Sequence, residues 1–145
     1  MVWEDTMATY HETLSYGTKG SCDMLDITPD IAGILKKSNL SSGICTIFVS
    51  GSTGSIITIE YEEGLLKDFP EAMERIAPTS AVYEHHLRWH DGNGHSHVRA
   101  SVVGPSLTVP FVDGKLTLGT WQQITLVDFD NKARQRHVEI MFIGE

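Results

Sequence analysis

The residues best suited to chemistry are concentrated in one short part of this 145-residue chain. Five of its seven histidines lie in the segment HHLRWHDGNGHSH, which spans residues 85–97. Imidazole titrates near neutral pH and is the commonest metal ligand in proteins. Because Asp91 lies among these histidines, the segment predicts a metal site or an acid–base site.

Three of the histidines are candidate metal ligands. His95 and His97 are two residues apart, so on a strand they would point to the same side. With His85 from the preceding loop, they could hold one divalent ion, for which zinc is the expected metal. Asp91 is then a ligand, a group that orients an imidazole, or a general base. The alternative is a polar loop whose histidines only form hydrogen bonds.

The other histidines carry no such expectation. His86 and His90 are expected to face solvent, and His11 and His137 are isolated in the sequence.

A second group of residues is suited to binding an anion. The small, hydroxyl-rich stretch at 50–55 offers N–H and O–H donors from Ser52 and Thr53, although it is not a Walker loop. Arg99 lies two residues after His97 and would share its strand face, where it suits a phosphate or carboxylate. These residues predict a small phosphorylated metabolite as the ligand. The alternative for residues 50–55 is a bulge or a turn.

A tryptophan and two glutamines join two predicted strands further along the chain. Trp121 is expected either to pack in the core or to lie beside a ligand. Gln122, with its neighbour Gln123, could supply amide donors to that ligand.

Composition excludes several classes of function. The formal net charge of −8 argues against nucleic-acid binding, and the one basic cluster, Lys132, Arg134 and Arg136, is expected to be a solvated strand face. The apolar runs are too short to cross a bilayer. The N-terminus does not resemble a signal peptide, so the expected location is cytoplasmic. Cys22 and Cys45 are expected to be buried free thiols, with Cys45 open as a metal ligand.

The elements that position these residues follow from turn signals and periodicity. Thr28-Pro29 begins a short helix that ends near Asn39, and residues 62–76 have helical spacing. The remaining strand-like segments are 9–16, 22–27, 44–49, 56–61, 98–103, 107–111, 115–118, 121–128 and 134–143. We therefore expect one α+β domain over residues 1–145, with a mixed, largely antiparallel sheet and helices packed on one face.

Several motifs carry a family resemblance that covers nearly the whole chain. They are Tyr83-Glu84-His85, the segment 91–97, Gly104-Pro105-Ser106 and the segment GKLTLGTWQ at 114–122. With them the chain resembles the YjbQ family, an uncharacterised group also described as secondary thiamine-phosphate synthases. The positions that match its pattern best are His85, Asp91, Asn93, His97 and the pair Trp121-Gln122.

The resemblance implies a homotrimer with clefts near subunit boundaries. It also implies weak thiamine-phosphate synthase activity, which joins a pyrimidine pyrophosphate to a thiazole phosphate, and it leaves the physiological reaction open. Asp91, Asn93 and His97 are the candidate catalytic residues. Many family members carry His-Thr-Thr at the strand break, where this chain has Gly51 in place of the histidine. His95 is a candidate to replace it.

Two functional hypotheses remain, together with a structural one. The first is an enzyme that uses these histidines, with or without a metal, on a phosphorylated substrate. The second is a non-catalytic trimer that binds a metal or a phosphorylated metabolite, which fits the missing histidine at Gly51. The third is a purely structural trimer whose histidines line its axis.

Overall fold

Two antiparallel sheets and four helices make up the part of the chain that is described. The computed structural model describes residues 6–145. In chain order its elements are β1 Ala8–Thr18, β2 Asp23–Asp26, α1 Thr28–Ser38, β3 Gly43–Val49, β4 Gly54–Ile59, α2 Leu65–Ile76, α3 Glu84–Trp89, α4 Gly94–Val103, β5 Ser106–Val112, β6 Lys115–Leu116, β7 Gln123–Asp128 and β8 Arg134–Gly144.

The main core lies between the two sheets. The larger sheet has five strands in the order β1-β8-β3-β5-β6, and the smaller has the order β2-β7-β4. Alternate residues of β3, Cys45, Ile47 and Val49, are fully buried against Ile124 and Leu126 of β7 in one apolar cluster. This alternation is the period of two that a strand imposes, and burying the apolar faces together is the main stabilising contribution.

Helix α1 contributes to the same core from one side. Ile31, Ile34 and Leu35 form its buried stripe. Pro29 lies in its first turn and Asn39 ends it in the left-handed conformation, with φ of 57°. These bounds confirm the prediction made from Thr28-Pro29 and Asn39.

A second, smaller core covers the other face of the three-stranded sheet. Val127 of β7 and Phe129 just after it pack against Met73 of α2 and Ala100 of α4. Strand β7 is thus buried on both faces, which explains why its residues from Ile124 to Asp128 are all buried instead of alternating.

The α+β class and the antiparallel pairing are confirmed, as is the hairpin turn at Asp113-Gly114 between β5 and β6. The strand predicted at 98–103 is wrong, because these residues lie in α4. Asn93 precedes that helix and Gly104 ends it with φ of 96°. Two of its three valines, Val98 and Val102, lie four residues apart on its exposed side, whereas Val103 packs against the second core.

None of the helices within residues 6–145 has the length and hydrophobicity needed to cross a lipid bilayer. Cys22 and Cys45 are buried free thiols, as expected. Burial raises the pKa of the Cys45 thiol to about 12, so the side chain stays protonated inside the core.

Candidate functional site

The predicted histidine segment borders an open cleft of about 500 Å³. Its walls come from three places: the β3–β4 loop, the α3–α4 region, and the start of β8 with the turn before it. The lining residues are Gly51, Ser52, Thr53, His85, Trp89, Asp91, Asn93, His97, Asp130, Arg134, Gln135 and Arg136.

One wall carries three polar side chains in mutual contact. The amide of Asn93 can form hydrogen bonds with both neighbours in the orientation that points its nitrogen at them. The nitrogen then lies 2.8 Å from Oδ1 of Asp91 and 3.2 Å from Nε2 of His85. In that orientation Nδ2 donates to both groups. Nε2 of His85 is therefore an acceptor, and the imidazole carries its proton on Nδ1. Asn93 is itself buried. Its side chain is therefore held in place, and its hydrogen bond fixes the tautomer of His85.

His97 lies against His85 in the same wall. The two ring centroids are 4.4 Å apart and the rings meet edge to face at 86°. Burial lowers the pKa of His97 and the neighbouring His85 lowers it further, which outweighs the opposing effects of Asp91 and Asp130. His97 is therefore neutral at pH 7, the form that can accept a proton.

The opposite wall rests on a buried arginine. Arg136 donates from Nε to Oδ2 of Asp128 at 2.8 Å and from Nη2 to Oδ1 of Asp128 at 2.8 Å. Burial favours the neutral acid of Asp128, but the hydrogen bonds from Arg136 and Thr18 outweigh it and hold the pKa below its usual value. The pair is therefore charged, and its two parallel hydrogen bonds fix the plane of the guanidinium.

A second ion pair adjoins the first. Arg134 donates from Nε to Oδ2 of Asp130 at 3.1 Å, and Thr53 donates its hydroxyl to the same oxygen at 2.9 Å. The Thr53 oxygen also accepts a hydrogen bond from Nη2 of Arg136 at 2.5 Å. The hydroxyl of Thr53 therefore connects the two ion pairs, while Ser52 beside it is exposed to the cleft.

His95 does not join the other histidines. In α4 two residues are separated by about 200° around the helix axis, so His95 and His97 point in different directions. His95 is 4% exposed and packs near Tyr83, and it does not line the cleft. The expected arrangement of both histidines on one strand face is wrong. Within residues 6–145, no three histidine, cysteine or acidic side chains are arranged to hold a metal ion.

The burial of His95 should make the protein less stable in mild acid. Burial lowers its pKa, and Arg99 and His86 lower it further against Glu74 and Asp130. Between that pKa and the unfolded value of about 6.5, the unfolded state binds more protons, so stability falls as pH falls. We expect the free energy of unfolding, measured in urea, to decrease from about pH 7.5 to about pH 5.5.

The His95→Gln variant should lose part of that pH dependence, because glutamine does not titrate. His137→Gln, which changes an exposed histidine on β8, is the matched control and should keep it. If the free energy of unfolding of His95→Gln changed with pH as much as that of the wild type, the burial of His95 would not be the cause of the pH dependence.

Arg99 also lies outside the cleft. It is 4% exposed, and its Nε donates to the carbonyl oxygen of Ala77 at 3.0 Å. Its Nη2 forms a salt bridge with Glu74 at 2.6 Å. The expectation that Arg99 shares a strand face with His97 is wrong, because both residues lie in α4. In this position Arg99 joins α4 to the end of α2.

Trp121 and Gln122 lie in the connection between β6 and β7. Trp121 is 69% exposed. The side-chain oxygen of Gln122 accepts a hydrogen bond from the Gly119 N–H at 2.8 Å. Gln122 borders a separate depression with Thr58 and Thr117, not the histidine cleft. Within one chain these two residues are therefore remote from His97.

Sequence reasoning missed five residues that line the cleft, which are Trp89, Asp130, Arg134, Gln135 and Arg136. Arg134 and Arg136 belong to the basic cluster that was expected to be a solvated strand face. That expectation is wrong for Arg136, which is buried in the alternating pattern of β8. Trp89, at the end of α3, borders the cleft next to His85 in the same helix. His86 is half-buried, and its Nε2 accepts a hydrogen bond from the Gly94 N–H at 3.2 Å, so it does not simply face solvent.

Comparison with known proteins places the chain in a family. The model of the family described as UPF0047 protein YjbQ-like matches residues 12–145. The chain belongs to this family. A UPF0047 protein of Methanothermobacter thermautotrophicus is 34% identical over 139 residues, which are 96% of this chain and 95% of that protein. The UPF0047 protein YugU of Bacillus subtilis is 31% identical over 133 residues, 90% of this chain and 98% of YugU.

Solved structures of similar proteins share the fold. The crystal structure of a YbjQ-like protein of unknown function from Sulfolobus solfataricus has a TM-score of 0.91 at 34% identity, covering 96% of this chain and 99% of that one. A hypothetical protein from Aeropyrum pernix has a TM-score of 0.82 at 30% identity, covering 92% and 99%. UPF0047 is a family without an assigned function, so the chemistry must be inferred from the cleft.

Proposed function

We propose that the chain is an enzyme that performs acid–base chemistry on a small phosphorylated metabolite bound in the histidine cleft. The observation that supports this proposal is the presence in one cleft of a neutral imidazole, His97, and two arginines, Arg134 and Arg136. A neutral imidazole transfers protons near pH 7, and guanidinium groups stabilise phosphate oxygens.

Each wall of the cleft has a separate role in this proposal. Arg134, which is 41% exposed, and the free hydroxyl of Ser52 hold the phosphate. His97 accepts or returns a proton at its ring nitrogen. Asp91 acts through Asn93, whose amide holds the tautomer of His85 beside His97. The arginines also stabilise negative charge that develops on a departing phosphate group.

The most specific form of the proposal is a thiamine-phosphate synthase reaction. The ring nitrogen of a thiazole phosphate forms a bond to the methylene carbon of the pyrimidine substrate. The bond from that carbon to pyrophosphate breaks, and pyrophosphate leaves with the electron pair. The two arginines would stabilise this leaving group, which is the step where anion binding contributes most.

A zinc ion and a homotrimer stay predictions. His85, His97 and Asp91 line the cleft, but within residues 6–145 they are not arranged to hold a divalent ion, and His95 does not line the cleft. No step of the proposed chemistry depends on a metal.

Complementation of a thiamine-auxotrophic strain tests the proposal. Expression of the wild-type chain should restore growth without thiamine, and His97→Ala should abolish it, because the cleft loses the imidazole beside which the two substrates are proposed to react. His137→Ala removes an exposed histidine on the outer face of β8 and should grow like the wild type. Equal growth with wild type and His97→Ala would rule out this cleft as the catalyst, and no growth with either would refute the thiamine reaction.

The binding-module hypothesis stays as the second candidate because Gly51 lines the cleft with no side chain. It predicts tight binding of a phosphorylated metabolite by the purified protein with no turnover. Direct measurement of pyrophosphate release from the two substrates separates it from the enzyme.

A further inference from the structure

The buried guanidinium of Arg136 has one nitrogen that forms no hydrogen bond within the described residues 6–145. Its Nε and Nη2 are committed to Asp128 and Thr53. The remaining nitrogen is Nη1, which has no hydrogen-bond partner among residues 6–145. A charged donor left unpaired next to a solvent-filled cleft is a group that a ligand can satisfy.

The backbone of Gly51 lies close to that nitrogen, because Gly51 has no side chain. A Cβ atom built on Gly51 would lie 2.5 Å from Nη1 of Arg136. Two atoms of these types cannot approach so closely, so the nitrogen occupies space that only glycine leaves open. Because the hydrogen bonds to Asp128 and Thr53 pin the guanidinium, it cannot move aside at low cost.

The charges around this nitrogen favour an anion. The two acids that pair with the arginines are buried, Asp128 at 0% and Asp130 at 1% exposure, although Asp130 borders the cleft and Asp128 does not. Arg134 and the free nitrogen of Arg136 both border the cleft next to Ser52. An anion placed there contacts positive N–H groups and a hydroxyl, while the carboxylates of Asp128 and Asp130 are already paired with Arg136 and Arg134.

We propose that Nη1 of Arg136, which only a glycine at position 51 leaves room for, forms an anion subsite for one phosphate group of the ligand, in which a phosphate oxygen accepts a hydrogen bond from Nη1 on its cleft side. This rests on the proposed function in that it assigns the anion-binding part of the same cleft. Arg136 is the ligand contact, and Asp128 and Thr53 are positioning residues that fix its plane.

The test is calorimetric titration of the 145-residue chain with inorganic pyrophosphate, which requires no turnover. Wild type should bind, and Gly51→Ala should bind at least tenfold more weakly because its methyl group blocks Nη1. Gly51 also has φ of 123°, so any alanine there is strained. Gly104→Ala is the matched control, since φ is 96° and a Cβ there meets no atom within 4 Å.

Equal binding by Gly51→Ala and wild type would overturn the subsite, and so would the absence of pyrophosphate binding by wild type. Equal weakening in Gly104→Ala would also overturn it, because the effect would then come from backbone strain. Binding that depends on Gly51 without any turnover would leave the subsite standing and refute the enzyme, so the two proposals fail separately.

Discussion

Replacing Asp128 by alanine should lower the free energy of unfolding by about 3–5 kcal/mol, the cost of leaving a buried charge without its partner. Asp128 is 0% exposed and accepts both parallel hydrogen bonds from Arg136, with a further one from Thr18. Chemical denaturation in urea, followed by tryptophan fluorescence, measures the change.

Two further variants interpret that result. Asp68→Ala removes an exposed acid of α2 and should change stability by less than about 0.5 kcal/mol. The double variant Asp128→Ala/Arg136→Met should recover part of the loss, because the uncompensated charge is gone. A loss below about 1 kcal/mol in Asp128→Ala would show that the pair is solvated and not buried.

Replacing Arg99 by alanine should destabilise the fold by about 2–3 kcal/mol and leave anion binding unchanged. The variant leaves the buried carbonyl of Ala77 without the two N–H groups that it accepts from Arg99 at 3.0 and 2.9 Å. It also separates α4 from Glu74 in α2. The measurements are urea denaturation and pyrophosphate titration of the folded variant.

The control for this variant is Arg75→Ala, which removes an exposed arginine of α2 and should alter neither property. If Arg99→Ala folded with normal stability and lost pyrophosphate binding, Arg99 would be the phosphate ligand that its position in the sequence first suggested.

The sequence predicts the fold class because strand alternation and turn residues are local signals. The helix from Thr28 and the turn at Asp113-Gly114 are examples, since each depends on the conformations that a few residues allow. The segment 98–103 is the exception. Its valines favour a strand, but the apolar packing of Ala100 against Val127 of β7 stabilises a helix. That contact joins distant parts of the chain and has no local signature.

The candidate site is predictable in the same partial way. His85, Asp91, Asn93 and His97 come together in the cleft because they lie close in the sequence. Because residues 98–103 were predicted as a strand, His95 and Arg99 were expected on the same side as His97. In the helix α4 that forms instead, side chains rotate by a different angle per residue, so both point away from the cleft. The position of Arg136 in the cleft could not be predicted, because its neighbours Gly51 and Thr53 are far from it in the sequence.

The two walls of the cleft are anchored unequally. The side of Arg136 is built on the central strands of both sheets, whereas His85 and Trp89 are carried by α3, a helix of six residues with no buried side chain. A helix so weakly packed opens at little free-energy cost. Ordering α3 should therefore reduce the net free energy of ligand binding. Amide hydrogen exchange in α3 should slow when a ligand fills the cleft, while exchange in β8 should stay constant.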